Sequence, residues 1–170
     1  MDELKEIVKK VRTASEIAAE TVRTANRQLR ENKDEGFQYE AYYRAVLFHE
    51  LVGEGLDIHR LWMEFTTGKE HVDLGYRSKN YEYDEFFVEI KPVKHVVPLK
   101  GNAWRLVNPR GINADIKKLE RSDGTRKIMI VPYVGDLHFD KNKFRKAVEQ
   151  AIENKLGRDA MLKNIELITC

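Results

Sequence analysis

Phe86-Phe87-Val88-Glu89-Ile90-Lys91-Pro92 is an apolar run that carries one acid and one base two positions apart. In a strand, side chains alternate between faces, so Glu89 and Lys91 share one face and Val88 and Ile90 the other. Upstream, His71-Val72-Asp73-Leu74 has the same form, with one carboxylate in an apolar segment. Two carboxylates on adjacent strands can converge within a few Å, and hard divalent ions such as Mg²⁺ take oxygen ligands at about 2.0–2.1 Å. The plain alternative is an exposed cross-strand ion pair, worth only about 0–1 kcal/mol. Two features argue against it. The flanking Phe86, Phe87, Val88 and Ile90 mark a central strand, and an isolated Asp73 stands on the strand before it. Burying charges there is costly without a ligand.

The elements around this stretch follow from hydrophobic period and breakers. Asp2 to about Lys33 lacks Gly and Pro and is rich in helix formers. Leu4, Val8, Val11, Ser15, Ala18, Val22, Ala25 and Leu29 form a heptad-like seam that Ile7 and Ile17 widen. Such a helix either packs on its own domain or pairs with the same helix of a second subunit, and a homodimer is expected on the second reading. A second helix is predicted over about Phe37 to Val52, carrying Glu40, Arg44 and Glu50. Strands follow at about Ile58–Thr66, His71–Arg77 and Glu85–Val93, with a hairpin turn at Thr67-Gly68-Lys69 and a polar connection from Ser78 to Asp84. An irregular basic stretch, Lys94 to Arg110, precedes a third helix, Ile112–Arg121. A strand, Lys127–Val134, a fourth helix, Lys141–Asn154, and an edge strand, Asn164–Thr169, complete the chain. Lys127-Ile-Met-Ile-Val-Pro is apolar on both faces, as a strand between two helix layers must be. The expected fold is α/β, a mixed sheet with helices on both faces, preceded by a long helix over residues 1–34.

Bulk charge names no partner, because 30 basic residues meet 28 acidic ones. Their distribution says more. No acid stands between Glu89 and Asp115, while Lys91, Lys94, Lys100, Arg105 and Arg110 all do. Such cations either neutralise backbone phosphates or form a solvated loop, and Trp104 either stacks on a base or anchors its loop. Asn113, Lys117 and Lys118 extend the positive surface into the next helix. His71 shares a strand face with Asp73 and reads as a neighbour, and His49, His59, His95 and His138 show no mutual metal spacing. The lone cysteine, Cys170, is the last residue and has no nearby base in sequence. No apolar run reaches the roughly 18 residues of a membrane span and the start has no signal-peptide core, so a cytoplasmic protein is expected.

At this point the sequence resembles the PD-(D/E)xK nuclease superfamily, whose restriction-endonuclease-like core runs αβββαβ. The matching residues are Glu40 on the helix, Asp73 on the second strand, and Glu89 with Lys91 on the third. The resemblance spans Glu40 to Val134 within a domain over 35–170. The proline that often precedes the aspartate is absent, with His71 and Val72 in its place. What it implies is a Mg²⁺-dependent endonuclease acting on DNA, with Mn²⁺ able to substitute. Asp73, Glu89, the main-chain carbonyl of Ile90 and Glu40 would hold the metal, and Lys91 would assist the attacking water. Glu50 is the alternative helix carboxylate. A nucleic-acid-binding or assembly protein that keeps the fold without turnover is the second reading, and a structural domain organised by the first helix is a third.

Overall fold

The computed structural model describes residues 2–31, 39–67, 70–77, 79, 84–122, 126–135, 138–157 and 165–170. Its centre is β3 (Asp84–Ile90), flanked by β2 (Glu70–Arg77) on one side and β6 (Lys127–Val131) on the other. β1 (Leu61–Thr67) and β7 (Ile165–Thr169) are the edges of a five-stranded sheet in the order β1-β2-β3-β6-β7. The pairs β1–β2 and β2–β3 are antiparallel, while β3–β6 and β6–β7 are parallel. The sheet is mixed, as expected.

Both faces are covered. Val88, Ile90, Ile128 and Ile130 pack into one core with Tyr43, Leu47 and Leu51 of α2 (Tyr39–Gly53) and Val11, Ala14, Ala18 and Val22 of α1 (Asp2–Glu31). Phe87, Met129 and Val131, one position out of phase, pack with Ile112, Ile116 and Leu119 of α3 (Arg110–Arg121) and with Phe144, Val148 and Ile152 of α4 (Lys141–Leu156). Each such side chain contributes about 1.5–3 kcal/mol when fully buried. β3 and β6 are thus central strands between two helix layers. Among the described residues, no helix is long and apolar enough to cross a membrane.

Several boundaries differ from expectation. Ile58–Arg60 is a 3₁₀ turn rather than strand, because the Asp57 side chain accepts from the His59 N–H and turns the chain before β1 begins. β6 stops at Val131, since Pro132 has no N–H for the ladder, and a single parallel bridge, Val93 to Tyr133, resumes beyond it. The basic stretch is not irregular. Val96–Pro98 (β4) pairs antiparallel with Trp104–Leu106 (β5) in a small hairpin. The turn 68–69 and most of the connection 78–83 lie outside the described residues.

The seam of α1 lies within the chain. Val11, Ser15, Ala18 and Val22 are buried as the heptad reading placed them, but Ala14, Ala19 and Asn26 join them and Ile17 faces outward at 42% exposure. Alanines let the helix approach α2 closely. Asn26 Nδ2 donates to the Val134 carbonyl at 2.7 Å and Arg23 Nη1 to the Tyr133 carbonyl at 3.0 Å, which fixes the helix to the chain leaving β6. The apolar stripe offered for pairing with a second subunit therefore covers this chain's own sheet. Cys170 is not a loose end either. It is buried beside Tyr43, 3.6 Å from its hydroxyl, and burial pushes its thiol up to about 11. Such a thiol stays protonated at neutral pH.

Candidate metal and phosphate site

The β2–β3 ladder ends one step short of the carboxylates. Its last pair is Leu74 opposite Val88. The N–H groups of Phe87 and Lys91 point to β6, bonding Arg126 and Ile130, so by alternation the N–H and C=O of Ile90 face β2. There the Ile90 N–H meets no strand partner and is taken by Asp73 Oδ2 at 2.7 Å. The gap thus holds the Asp73 carboxyl and lies on the side of the Ile90 carbonyl. Across the β1–β2 ladder, Glu64 adopts φ 50°, an unusual backbone for a residue with a Cβ, and drops out of the pairing opposite Asp73. Arg44 Nη1 of α2 donates to both, at 3.1 Å to Glu64 Oε1 and 3.1 Å to Asp73 Oδ1.

Glu89 continues the α3-facing row of β3 and is 2% exposed. Lys118 Nζ of α3 stands 2.6 Å from its Oε1, a close charge-assisted contact to the buried carboxyl. Lys91, next along the strand face, reaches outward. Its Nζ lies 3.4 Å from Glu40 Oε2 in the first turn of α2 and 4.0 Å from Asp115 Oδ2 of α3. Gly111, Asp115 and Lys118 form one i, i+4, i+7 stripe of α3 turned towards β3. At its top, a Cβ on Gly111 would sit 2.5 Å from Lys91 Cε, so glycine makes room for the lysine stem.

The electrostatics are those of an acidic excess. Five carboxyl groups, of Glu40, Glu64, Asp73, Glu89 and Asp115, meet three cations, of Arg44, Lys91 and Lys118. Burial pushes Glu89 up to about 8, with Asp73 adding to the rise and Lys118 opposing it. Burial also raises Asp73, against the Ile90 N–H and Arg44, and raises Asp115, against Lys91 and Lys118. Carboxyls perturbed together by desolvation and mutual repulsion are characteristic of functional sites. A hard divalent cation would offset the excess charge. Among the described residues, no group of three or more His, Cys, Asp or Glu side chains could hold a metal by itself. Asp73 and Glu89, with the main-chain carbonyl of Ile90, are the groups that would hold one.

The predicted residues fall into two groups. Glu40, Asp73, Glu89 and Lys91 come together with the Ile90 backbone. Glu50 stands ten residues further along α2, roughly 15 Å away at 1.5 Å per residue. Lys100, Arg105, Arg110 and Lys117 are exposed on the hairpin side and on α3. Lys94 instead lies over the Tyr39 ring, 4.8 Å from its centre, and Trp104 leans on Tyr133 with ring centres 5.8 Å apart. His71 is exposed, as are His49, His59, His95 and His138. Sequence reading missed the roles of Asp115, Lys118 and Gly111. Their signal was the charged stripe sharing a helix face with the inward Ile112, Ile116 and Leu119.

No protein-family model and no curated protein matches the chain. Among solved structures it is similar to SfsA of Pyrococcus furiosus, determined in complex with Ca²⁺. Identity is 17%, the TM-score is 0.39, and the match covers 74% of this chain and 55% of that one. A likeness of that size assigns neither family nor function.

Proposed function

We propose that the chain is a divalent-metal-dependent nuclease that hydrolyses DNA phosphodiester bonds. The observation that carries this reading is the gathering of buried acids at the end of β3, where Asp73 accepts from the Ile90 N–H beside the Ile90 carbonyl and Glu89 is buried against Lys118. Asp73, Glu89 and the Ile90 carbonyl would hold Mg²⁺ or Mn²⁺, with Glu40 in contact with Lys91. A bound ion supplies Lewis-acid stabilisation of the charge that develops on the phosphate. The remaining work belongs to the chain. Lys91, restrained between Glu40 and Asp115, orients the attacking water by hydrogen bonding and offers positive charge to the phosphate. The β2–β3 gap holds Asp73 by the Ile90 N–H and Arg44, so its carboxyl needs no rearrangement. Exposed Arg105, Arg110 and Lys117 accept the flanking phosphates.

Incubation with supercoiled, linear, single-stranded and branched DNA tests the proposal. Cleavage is expected with Mg²⁺ or Mn²⁺ and none with EDTA. Asp73→Asn and Lys91→Met should each lose about 100-fold or more. Absence of cleavage by the wild type on every substrate, or cleavage by both variants equal to that of the wild type, would sink it.

Gly111→Ala gives a subtler test. The clash falls on the far end of a flexible lysine rather than on backbone, so the fold adapts, and alanine favours a helix over glycine by up to about 1 kcal/mol. Thermal stability should hold or rise slightly while cleavage falls about ten-fold, because Lys91 is displaced. Unaltered cleavage would remove Lys91 from the chemistry.

A second reading is favoured by Lys118 and Arg44, which partly neutralise Glu89 and Asp73 without any metal. On it the protein binds nucleic acid without turnover. Calorimetry with Mn²⁺ separates the two, since that protein shows no heat dependent on Glu89.

A further inference from the structure

Beside the start of α3 lies a groove of about 830 Å³, walled by the β4–β5 hairpin, α3 and α4. Its volume is that of a site for a small organic molecule. Trp104 supplies an aromatic wall, braced by Tyr133. Asn113 lines it too and is 6% exposed, and its Oδ1 has no hydrogen-bond donor. A buried acceptor left unpaired costs about 1–3 kcal/mol unless a ligand supplies the donor. Arg105, Arg110 and Lys155 also line the groove. No side chain caps α3, whose N-cap is Pro109, so its first-turn N–H groups favour an anion.

We propose that this groove binds one unstacked nucleotide of a single-stranded nucleic acid, the base against Trp104 with an N–H given to Asn113 Oδ1. The chemistry matches part by part. Every base offers a flat π face and at least one amino or imino N–H. Its phosphate meets Arg105, Arg110 and the start of α3. A nucleotide also fits better than an apolar ligand, which would leave three cations and a carboxamide oxygen without partners. The phosphate end adjoins the site above, because Gly111, next to Arg110, touches the Lys91 stem. The inference thus deepens the nuclease reading by naming the substrate as a single strand or an unpaired end.

The test is run in EDTA, where binding is read without cleavage. In a Trp62→Phe background Trp104 is the one tryptophan left of two, so its fluorescence reports the groove. Saturable quenching is expected from a single-stranded decamer. An abasic decamer with the same phosphates should bind about ten-fold or more weakly, since stacking and base contacts are lost. Asn113→Leu should weaken the decamer about ten-fold without lowering the thermal midpoint. Tripolyphosphate should leave the fluorescence unchanged. Equal affinity for the abasic strand, or for Asn113→Leu, overturns the proposal and leaves a phosphate surface only. The two readings fail separately. Quenching without cleavage in Mg²⁺ keeps the groove and rejects the nuclease, while cleavage without quenching does the reverse.

Discussion

Glu89→Gln is expected to abolish metal-dependent cleavage, by about 10³-fold or more, and to make the metal-free protein more stable at pH 8. The two effects have one origin. The carboxyl is almost fully buried, and burial raises it to about 8 from an ordinary value of 4.5. The folded state therefore keeps a proton that the unfolded chain releases. A raised acid gives full stability below 4.5, loses it as pH climbs towards 8, and levels off above that. A ten-fold difference in proton affinity between the folded and unfolded chain is worth about 1.4 kcal/mol. Asp73 and Asp115, also raised by burial, act in the same direction. Glutamine mimics the protonated acid and removes this group's share. A gain on the order of 2 kcal/mol at pH 8, vanishing near pH 4.5, is the expected difference in thermal or urea unfolding. A purely structural ion pair predicts the opposite, because breaking a buried pair costs about 3–5 kcal/mol. Loss of stability at pH 8 in Glu89→Gln would thus assign Glu89 to the scaffold.

What the sequence made legible was what strong local patterns encode. Phe86 to Ile90 reads as a central strand because apolar residues fill both faces, and Glu89 stands out as an acid on one of them. Asp73 was visible for the same reason. Glu40 came from the family resemblance with Glu50 left as the alternative, and in the fold it is Glu40, in the first turn of α2, that contacts Lys91. The rest depended on tertiary geometry. Asp115 and Lys118 look like surface charges of an amphipathic helix, and only the packing of α3 against β3 turns them inward. The β4–β5 hairpin was missed because three-residue strands around Pro98 and Gly101 carry no readable period. Ile17 was misplaced for a related reason. On α1 the buried face is set by the small Ala14, Ala18 and Ala19, which a hydrophobicity pattern weighs less than an isoleucine. The unpaired oxygen of Asn113 could not be read at all, since an unsatisfied group is defined by what surrounds it.

Lys118→Met should weaken the metal-free protein and strengthen its response to a divalent ion. The ammonium stands 2.6 Å from Glu89 Oε1, a charge-assisted contact to the buried carboxyl. It acts as a counter-ion that an incoming metal must displace or share. Removing it leaves a buried carboxyl facing Asp73 with less opposing charge, and a loss of about 3 kcal/mol at pH 8 follows in EDTA. Methionine keeps the apolar stem, so packing of α3 is retained. With Mn²⁺ present, the gain in thermal midpoint should exceed that of the wild type. Half of that gain should be reached at about ten-fold lower ion concentration, because no ammonium competes for Glu89. Ca²⁺, which takes the same oxygen ligands, should show the same ordering without turnover. If the protein only binds nucleic acid, Lys118 and Glu89 form a permanent pair and the variant loses stability that no ion restores. A metal response equal to that of the wild type would place the cation away from Glu89, and the arrangement built around β3 would then be electrostatic scaffolding for a bound strand.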